Sequence, residues 1–373
     1  MRIAIEAQRI FRQHKHGMDF VVLETIRALQ QLDHDNDYFI FTTPGEDRCL
    51  QETDNFHIVE VKCPTYLLWE QVALPLALKR INPDLVHCTS NTAPLYCPYP
   101  LVVTLHDIIF LEKKKGNNRS LYQRLGRIYR RWVVPRIIPT CRLIATVSDY
   151  ERSHIQHSLS LTPEAIITIH NGLNPIFNPS RRDPDTVKKY IREDTYLFFL
   201  GNTDPKKNTP NVLRAYSIYL HKSTRKLPLL IADLEESMID NLLSKEGLTS
   251  IKPYLYYPGY IPNKDLPYIY TGAFAFLYPS LRESFGLPLL EAMASGVPVI
   301  SSNTSAIPEI AGEDAILVDP SDPDAIAQQL IELEENSVWY EKQVHYGLNR
   351  ALDFSWKKTA LQLLDTYNHL TPK

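Results

Sequence analysis

A chain of 373 residues exceeds the roughly 250–300 at which a single core stops growing, so two domains are expected. Its 44% hydrophobic and 22% charged residues are ordinary for a globular fold, and no window holds the ~18 uninterrupted apolar residues of a membrane span. A net charge of -3 and a pI near 6.5 exclude a global drive toward nucleic acid, so any affinity for an anionic surface has to come from a local patch.

The opening MRIAIEAQRI alternates like a strand and lacks the apolar core of a signal peptide, which predicts an unprocessed cytoplasmic chain. The five cysteines, at 49, 63, 88, 97 and 141, form no CxxC pair, so reduced thiols are expected and metal ligation is not.

Along the first half, apolar runs alternate with helical patterns. RIAIEAQ is followed by a helix over 20–32, YFIFTT, a helix over 69–80, LVHC, LVVTLHD, a helix over 120–136, LIATVS and IITIHNGLN. Such alternation predicts a parallel sheet with crossover helices. NPSRRDPDTVKKYIRED then reads as a linker. The second half restarts with YLFFLGN, helices over 211–221 and 235–245, and the runs LPLLIAD, IKPYLYYPGY, AFAFLYPS, VPVISS and AILVD. The expected domains are 1–178 and 179–355, with a terminal helix over 356–373 packing back toward the first domain.

In open parallel sheets, ligands lie beyond the carboxyl ends of the strands, so the residues following each strand carry the chemistry. RESFGLPLLEAMASGVPVI follows AFAFLYPS, with Ser284 as expected cap, a helix starting near Phe285 and Gly296 ending it. The amides of Ser284, Phe285, Gly286 and Leu287 would then face an anion such as a diphosphate. Glu283 precedes that helix, and Glu291 lies inside it, within reach of hydroxyls on the phosphate carrier. Both glutamates could equally be surface charges at a helix start.

GNTDPKKNTPN supplies Gly201, Asn202, Lys206 and Lys207 at a second strand end, with Thr209 as the expected cap. It lacks the GxxxxGK spacing of a Walker loop, and no GxGxxG follows any strand, which disfavours a dehydrogenase. LVVTLHDII places His106 and Asp107 at a strand end, where His106 would donate to a substrate hydroxyl or serve a structural hydrogen bond. FRQHKHGMDF leaves Gly17 in the first strand-to-helix loop.

These stretches together resemble glycosyltransferase family 4. ESFGLPLLE matches the family's E-x7-E signature, PKKN at 205–208 its phosphate element, and LHD at 105–107 its VHD. TVSDYERSHI, HNGLN and YPGYIPNKDLPYIY follow the family's order as well. The resemblance covers nearly the whole chain. It implies an α/β GT-B fold: two doubly wound Rossmann-like domains facing across a cleft, working with retention and without a metal or other cofactor. It also implies that Glu291 binds the donor ribose, Glu283 the sugar hydroxyls, and Lys207 with the amides of Phe285 to Leu287 the diphosphate. His106 would contact the sugar, Gly17 would face the donor, and Tyr260 and Ile261 would lie by the nucleobase. Asp107 falls on the acceptor side.

Three departures from the family pattern stand out. Asn202 replaces an arginine, HGMDF has a single glycine, and LLIADLEES lacks a usual glycine. The LHD and PKKN forms look most like the mannosyltransferase branch, suggesting mannose from a guanine nucleotide passed to a glycan or lipid-linked glycan. A uridine nucleotide sugar, an epimerase and a silent sugar-nucleotide-binding protein remain alternatives.

The DxD-like groups at 33–37, 183–185 and 322–324 read as turn formers. The basic segment 113–136 has Leu121, Leu125, Ile128 and Trp132 on one helical face. That face is expected to pack on the sheet, leaving the arginines and Lys113–Lys115 to attract lipid phosphates at the inner face of a membrane.

Overall fold

The computed structural model describes residues 1–13, 15–112, 121–202 and 204–370. Its backbone divides into two compact units, Met1–Gly172 with Ser355–Lys373, and Leu173–Phe354.

The first unit runs β1 (Arg2–Glu6), α1 (Gly17–Leu32), β2 (Asp37–Thr42), β3 (Phe56–Glu60), α2 (Tyr66–Leu68), a π turn (Trp69–Ala73) and α3 (Leu74–Ile81). It continues with β4 (Leu85–Cys88), β5 (Leu101–Thr104), α4 (Leu121–Ile137), β6 (Leu143–Thr146), α5 (Asp149–Leu159) and β7 (Ile166–Thr168). The strands form one sheet in the order β3-β2-β1-β4-β5-β6-β7, with every named pair parallel. Crossover helices cover both faces of such a sheet, which is why IAI and LVHC are buried throughout rather than in alternation. The edge strand β3 was not expected: FHIVE is short and only half buried, so its apolar signal is weak.

Two expectations for this unit are corrected. Helix α1 begins at Gly17, not near residue 20, so Gly17 is a helical residue and not a loop residue. His16 caps the helix, with Asp19 Oδ2 accepting the His16 amide at 3.0 Å. In α4, Leu125, Ile128 and Trp132 do not pack on the sheet; they are 66%, 62% and 48% exposed. The buried edge is Val133, Val134 and Ile137, one turn apart, and Arg127 fixes the helix rotation by donating to the Phe110 and Glu112 carbonyls. Residues 113–120, including Lys113–Lys115, lie outside the described residues.

The second unit runs α6 (Pro184–Val187), β8 (Tyr196–Leu200), α7 (Thr209–Lys222), β9 (Leu229–Ala232), α8 (Glu236–Glu246), β10 (Leu255–Gly259), α9 (Leu266–Gly272) and β11 (Ala273–Tyr278). Then follow α10 (Leu287–Ala294), β12 (Val299–Ser302), α11 (Ile307–Ala311), β13 (Ile316–Val318), α12 (Pro323–Glu335) and α13 (Ser337–Ala351). The sheet order is β10-β9-β8-β11-β12-β13. Asp183 and Asp322, from the two DPD groups, accept amides at the starts of α6 and α12.

After α13 the chain returns to the first unit as α14 (Trp356–Leu370), which packs on α1. Gly172 admits that return, because a β-carbon there would lie 2.1 Å from the Trp356 nitrogen. The Tyr367 hydroxyl then reaches His87 Nδ1 at 2.6 Å beneath the sheet. Among the described residues no helix is long and apolar enough to cross a membrane.

Candidate functional site

In the second unit the strand order reverses direction between β8 and β11, the switch point at which open parallel sheets hold ligands. The segments leaving these two strands meet there. After β8, Gly201 turns the chain against the sheet; a β-carbon would lie 2.7 Å from Leu234 Cδ1 and 2.8 Å from Ile231 Cγ2. A short 3-10 turn, Pro205–Lys207, then presents Lys206 and Lys207.

Helix α7 is capped by Asn208 and not by Thr209. Asn208 sits at φ 62°, a left-handed value that asparagine tolerates, and its side chain donates to the Pro279 carbonyl at 3.0 Å and the Pro320 carbonyl at 2.6 Å. The backbone of Lys206 is tied as well, its carbonyl accepting from the Leu281 amide at 2.7 Å. These bonds lock the lysine turn to the loop after β11.

Across that seam the Lys207 ammonium donates to Glu283 Oε1 at 2.8 Å and lies 4.9 Å from the centre of the Tyr278 ring. Burial alone would raise the Glu283 carboxyl, but Lys207 and Lys206 outweigh it and hold the group below the usual carboxylate range. Glu283 is therefore a fixed anion paired with a fixed cation. Its amide donates to Ser305 Oγ at 3.0 Å, which anchors the loop.

Helix α10 starts at Leu287, two residues later than expected, so Ser284 is not its cap. Gly286 occupies that position at φ 110°, a conformation closed to most side chains, and a β-carbon there would lie 3.0 Å from Ile307 Cδ1. The shift arises because Phe285 is drawn inward to stack edge-on against Phe354 at 5.7 Å. The Gly286 and Leu287 amides donate to no acceptor among the described residues. Pro288, at the second helical position, has no amide to satisfy.

Glu291 lies one turn into α10 and accepts from the Tyr270 hydroxyl at 3.2 Å. Burial pushes its carboxyl up to about 7, with the Tyr270 bond opposing. Burial pushes the Tyr278 hydroxyl upward, and the charges of both Glu283 and Glu291 add to it, so the two carboxylates share one aromatic neighbourhood.

The remaining expected residues are placed less directly. Asn202 accepts the Asp204 amide at its side-chain oxygen, at 2.9 Å, which forms the turn before the lysines. Tyr260 is 58% exposed just beyond β10, and Ile261 beside it is buried.

In the first unit His106 is buried at the end of β5 and its amide donates to Asn91 Oδ1 at 2.6 Å. The Nε2 atom lies 3.0 Å from the Thr89 carbonyl, which can only accept, so Nε2 carries the hydrogen. Burial lowers the ring's pKa, opposed by the Thr89 contact, Asp107 and Asp19, so the neutral ring keeps Nδ1 bare. Nε2 is thus spent on the structural bond to Thr89, and the ring nitrogen left over, Nδ1, can only accept. Asp107 accepts the Ile109 amide at 3.0 Å. At Gly17 a β-carbon would meet no atom within 4 Å, so packing inside the protein does not require glycine there.

Three participants escaped sequence reasoning. Tyr278 was hidden at the end of the apolar run AFAFLY, and Tyr270 in the tyrosine-rich stretch PYIYTG, where nothing sets it apart from Tyr268. Asp233, at φ 63°, occupies the left-handed position where LLIADLEES lacks glycine, which explains that departure, since aspartate tolerates this region. Its charge lies close enough to Lys207 for the lysine to lower its carboxyl, against a larger upward effect of burial.

Known proteins show the same organisation. Residues 16–176 match the model of Glycosyltransferase Family 4, and residues 182–350 that of Glycosyl transferases group 1. The chain is 30% identical over 289 residues to O-antigen chain mannosyltransferase B of Escherichia coli, covering 74% of this chain and 72% of that protein. It is 25% identical over 276 residues to O-antigen chain mannosyltransferase RfbU of Salmonella typhimurium, covering 72% and 70%. A sucrose-phosphate synthase from Thermosynechococcus elongatus superimposes with a TM-score of 0.75 at 18% identity, covering 99% of this chain and 98% of that one. The two parallel α/β sheets are those of the GT-B fold, and the chain belongs to glycosyltransferase family 4.

Proposed function

We propose that the chain transfers a hexose, with retention of anomeric configuration, from a nucleotide diphosphate sugar to a glycan or lipid-linked glycan acceptor. The observation that carries this reading is the half-buried Lys207–Glu283 pair at the switch point, next to the Gly286 and Leu287 amides. A cation and two backbone donors suit a diphosphate, and a carboxylate held ionised beside them suits the hydroxyls of the sugar it carries.

In this reading Lys207 and the amides bind the diphosphate and stabilise the charge that develops as the bond from the sugar's C1 to the phosphate oxygen breaks. The acceptor oxygen bonds to C1 on the same face, and its proton passes to the departing phosphate oxygen. Glu283 holds the sugar, and Glu291 accepts from the ribose hydroxyls when ionised. Lys206 adds positive potential, Tyr260 and the backbone of Ile261 flank the base, and Ser284 and Phe285 offer their backbone. Asn202 shapes the lysine turn. His106 Nδ1 accepts from a sugar hydroxyl, Gly17 leaves room for the donor, and Asp107 lies toward the acceptor.

Mannose from a guanine nucleotide is the first choice, because both mannosyltransferase relatives cover most of the chain. Thermal-shift titration with guanosine and uridine diphosphates and their sugars tests this, since a ligand at 100 times its Kd stabilises by about 2.7 kcal/mol. Stabilisation by uridine nucleotides alone would overturn the mannose assignment. Unchanged sugar transfer by Glu283→Ala and Lys207→Ala would overturn the site.

A further inference from the structure

In the second unit, α11 is five residues long, too short to be stable alone, and its last carbonyls have no partner within the helix. Helix α13 supplies the partners. Arg350 donates from Nη2 to the Glu309 carbonyl at 2.7 Å and from Nε to the Ile310 carbonyl at 2.9 Å. The Tyr346 hydroxyl donates to the Ala311 carbonyl at 2.9 Å, and Gly312, at φ 84°, leaves that hydroxyl room which a β-carbon would take. Arg350 is itself held. Its Nη1 donates to Asp353 Oδ2 at 2.8 Å, and the guanidinium lies 5.0 Å from the centre of the Phe354 ring.

Both attachments of Arg350 lead to the loop that carries Glu283 and the two amide donors. The start of α11 grips Glu283, whose amide donates to Ser305 Oγ at 3.0 Å and whose carbonyl accepts the Ala306 amide at 3.3 Å. Ile307 packs over Gly286, its Cδ1 3.0 Å from where a β-carbon would stand. Phe354 meets the ring of Phe285, the residue before Gly286, edge-on at 5.7 Å. Arg350 thus holds both neighbours of the Gly286 step. On the same helix, Gly347 admits α10 itself, since a β-carbon there would lie 3.2 Å from Met293 Cγ.

Amide donors stabilise a phosphate only as far as their direction is fixed beforehand. An arginine fork on two successive carbonyls fixes both the position and the rotation of a helix end, and its charge suits the negative end of α11. We propose that Arg350, assisted by Tyr346, is a positioning residue for the donor diphosphate. Through α11 and Phe354 it aims the Gly286 and Leu287 amides and sets Glu283 beside Lys207. The proposal rests on the sugar-transfer reading, and its test separates the two.

Equilibrium binding of guanosine diphosphate, uridine diphosphate and the two nucleosides alone is measured on the full chain and on Arg350→Met, Arg350→Lys and Tyr346→Phe, with melting temperatures in parallel. A nucleoside has no phosphate, so it reports on the rest of the donor site. Arg350→Met should weaken whichever diphosphate the wild-type chain binds by about tenfold, the worth of one amide-to-phosphate bond, and leave the matching nucleoside unchanged. Arg350→Lys keeps the charge without the fork and should fall between wild type and Arg350→Met. Tyr346→Phe removes one bond and no charge, so it keeps the test open even where Arg350→Met fails to fold. It should cost about two- to threefold on the diphosphate alone. In transfer assays the donor KM should rise while the acceptor KM stays constant. Lower melting temperatures with every affinity unchanged would make Arg350 and Tyr346 supports of the fold alone, and equal losses for diphosphate and nucleoside would place their effect away from the amides. Either result overturns the proposal. Failure of the wild-type chain to bind any of the diphosphates would overturn the sugar-transfer reading and this proposal with it.

Discussion

Both units share the strand order 3-2-1-4-5-6, yet their switch points hold polar groups differently. In the first unit, between β1 and β4, Glu6 accepts the Gln8 amide at 3.0 Å and the Thr89 amide at 3.2 Å. Thr89 returns a bond to the Glu6 carbonyl, and Asn91 holds the backbone of His106. The polar capacity of these residues is spent largely on one another, and His106 keeps its Nδ1 to spare. In the second unit the edge between β8 and β11 carries one ion pair, two unanswered amides and a glutamate held by one tyrosine. Identical topology thus yields one edge closed on itself and one with donors and charge in surplus, and a charged ligand is matched by the second.

The sharpest way to break this contrast is Lys207→Ala. If the second edge holds the diphosphate, sugar transfer should lose about 10²–10³ in kcat/KM, the usual cost of removing one stabilising group. The variant also strands Glu283 as a half-buried charge without its partner, so the melting temperature should fall. Pairing Lys207→Met with Glu283→Gln should restore the melting temperature without restoring transfer. Restored transfer would reduce the pair to a structural role.

The matching change in the first unit is His106→Ala, measured in the same assay. With one acceptor nitrogen at stake, the expected loss is about ten- to a hundredfold, close to the strength of one or two hydrogen bonds. A larger loss than for Lys207→Ala would reverse the ranking of the two edges.

The candidate site was legible where backbone chemistry has a spacing. Strands, crossover helices, the lysine turn and the two glutamates around a glycine all leave a periodic or turn-forming trace. What the sequence withheld was rotational and conformational. Nothing in LYQRLGRIYRRWVVPRI alone says that Val133 and Val134 would outcompete Leu125, Ile128 and Trp132 for the core, because that choice depends on the Phe110 and Glu112 carbonyls. The cap at Gly286 instead of Ser284 depends on Phe354, far along the chain. The hydrogen on His106 Nε2 depends on the Thr89 carbonyl.

Glu291 adds a pH test of the second edge. Its carboxyl is raised from 4.5 to about 7 by burial, with Tyr270 opposing, so in the folded chain it holds a proton that the unfolded chain releases earlier. Its contribution to stability is therefore full below about 4.5 and lost as pH rises through about 7. Glu291→Gln should flatten that decline in melting temperature. Donor binding should run the opposite way in the wild-type chain, weakening by up to about tenfold per pH unit below 7, since the ionised form accepts the ribose hydroxyls. An affinity profile unchanged by Glu291→Gln would remove Glu291 from the site.

Gly286→Ala probes the amides rather than the charges. At φ 110° a β-carbon should cost about 1–2 kcal/mol of stability, read as a lower melting temperature, and donor affinity should fall with it. The same substitution at Gly17, where a β-carbon meets nothing, should change stability by less than about 0.5 kcal/mol, read as a nearly unchanged melting temperature.

The smallest effect is expected at Asp233, where it tests whether charge surplus or backbone shape governs the second edge. Asp233 already tolerates φ 63°, and its amide donates to the Gly259 carbonyl at 2.8 Å, so Asp233→Gly keeps the local path and changes stability by only a few tenths of a kcal/mol. The substitution nonetheless removes a carboxylate that competes with a diphosphate for the field of Lys207. Donor affinity should therefore rise by about two- to fivefold at low salt, and the gain should shrink at 0.5 M salt as screening takes over. If affinity falls instead, Asp233 is itself a donor contact, accepting from a sugar or ribose hydroxyl. The surplus at this edge would then be of acceptors for hydroxyls as much as of donors for phosphate.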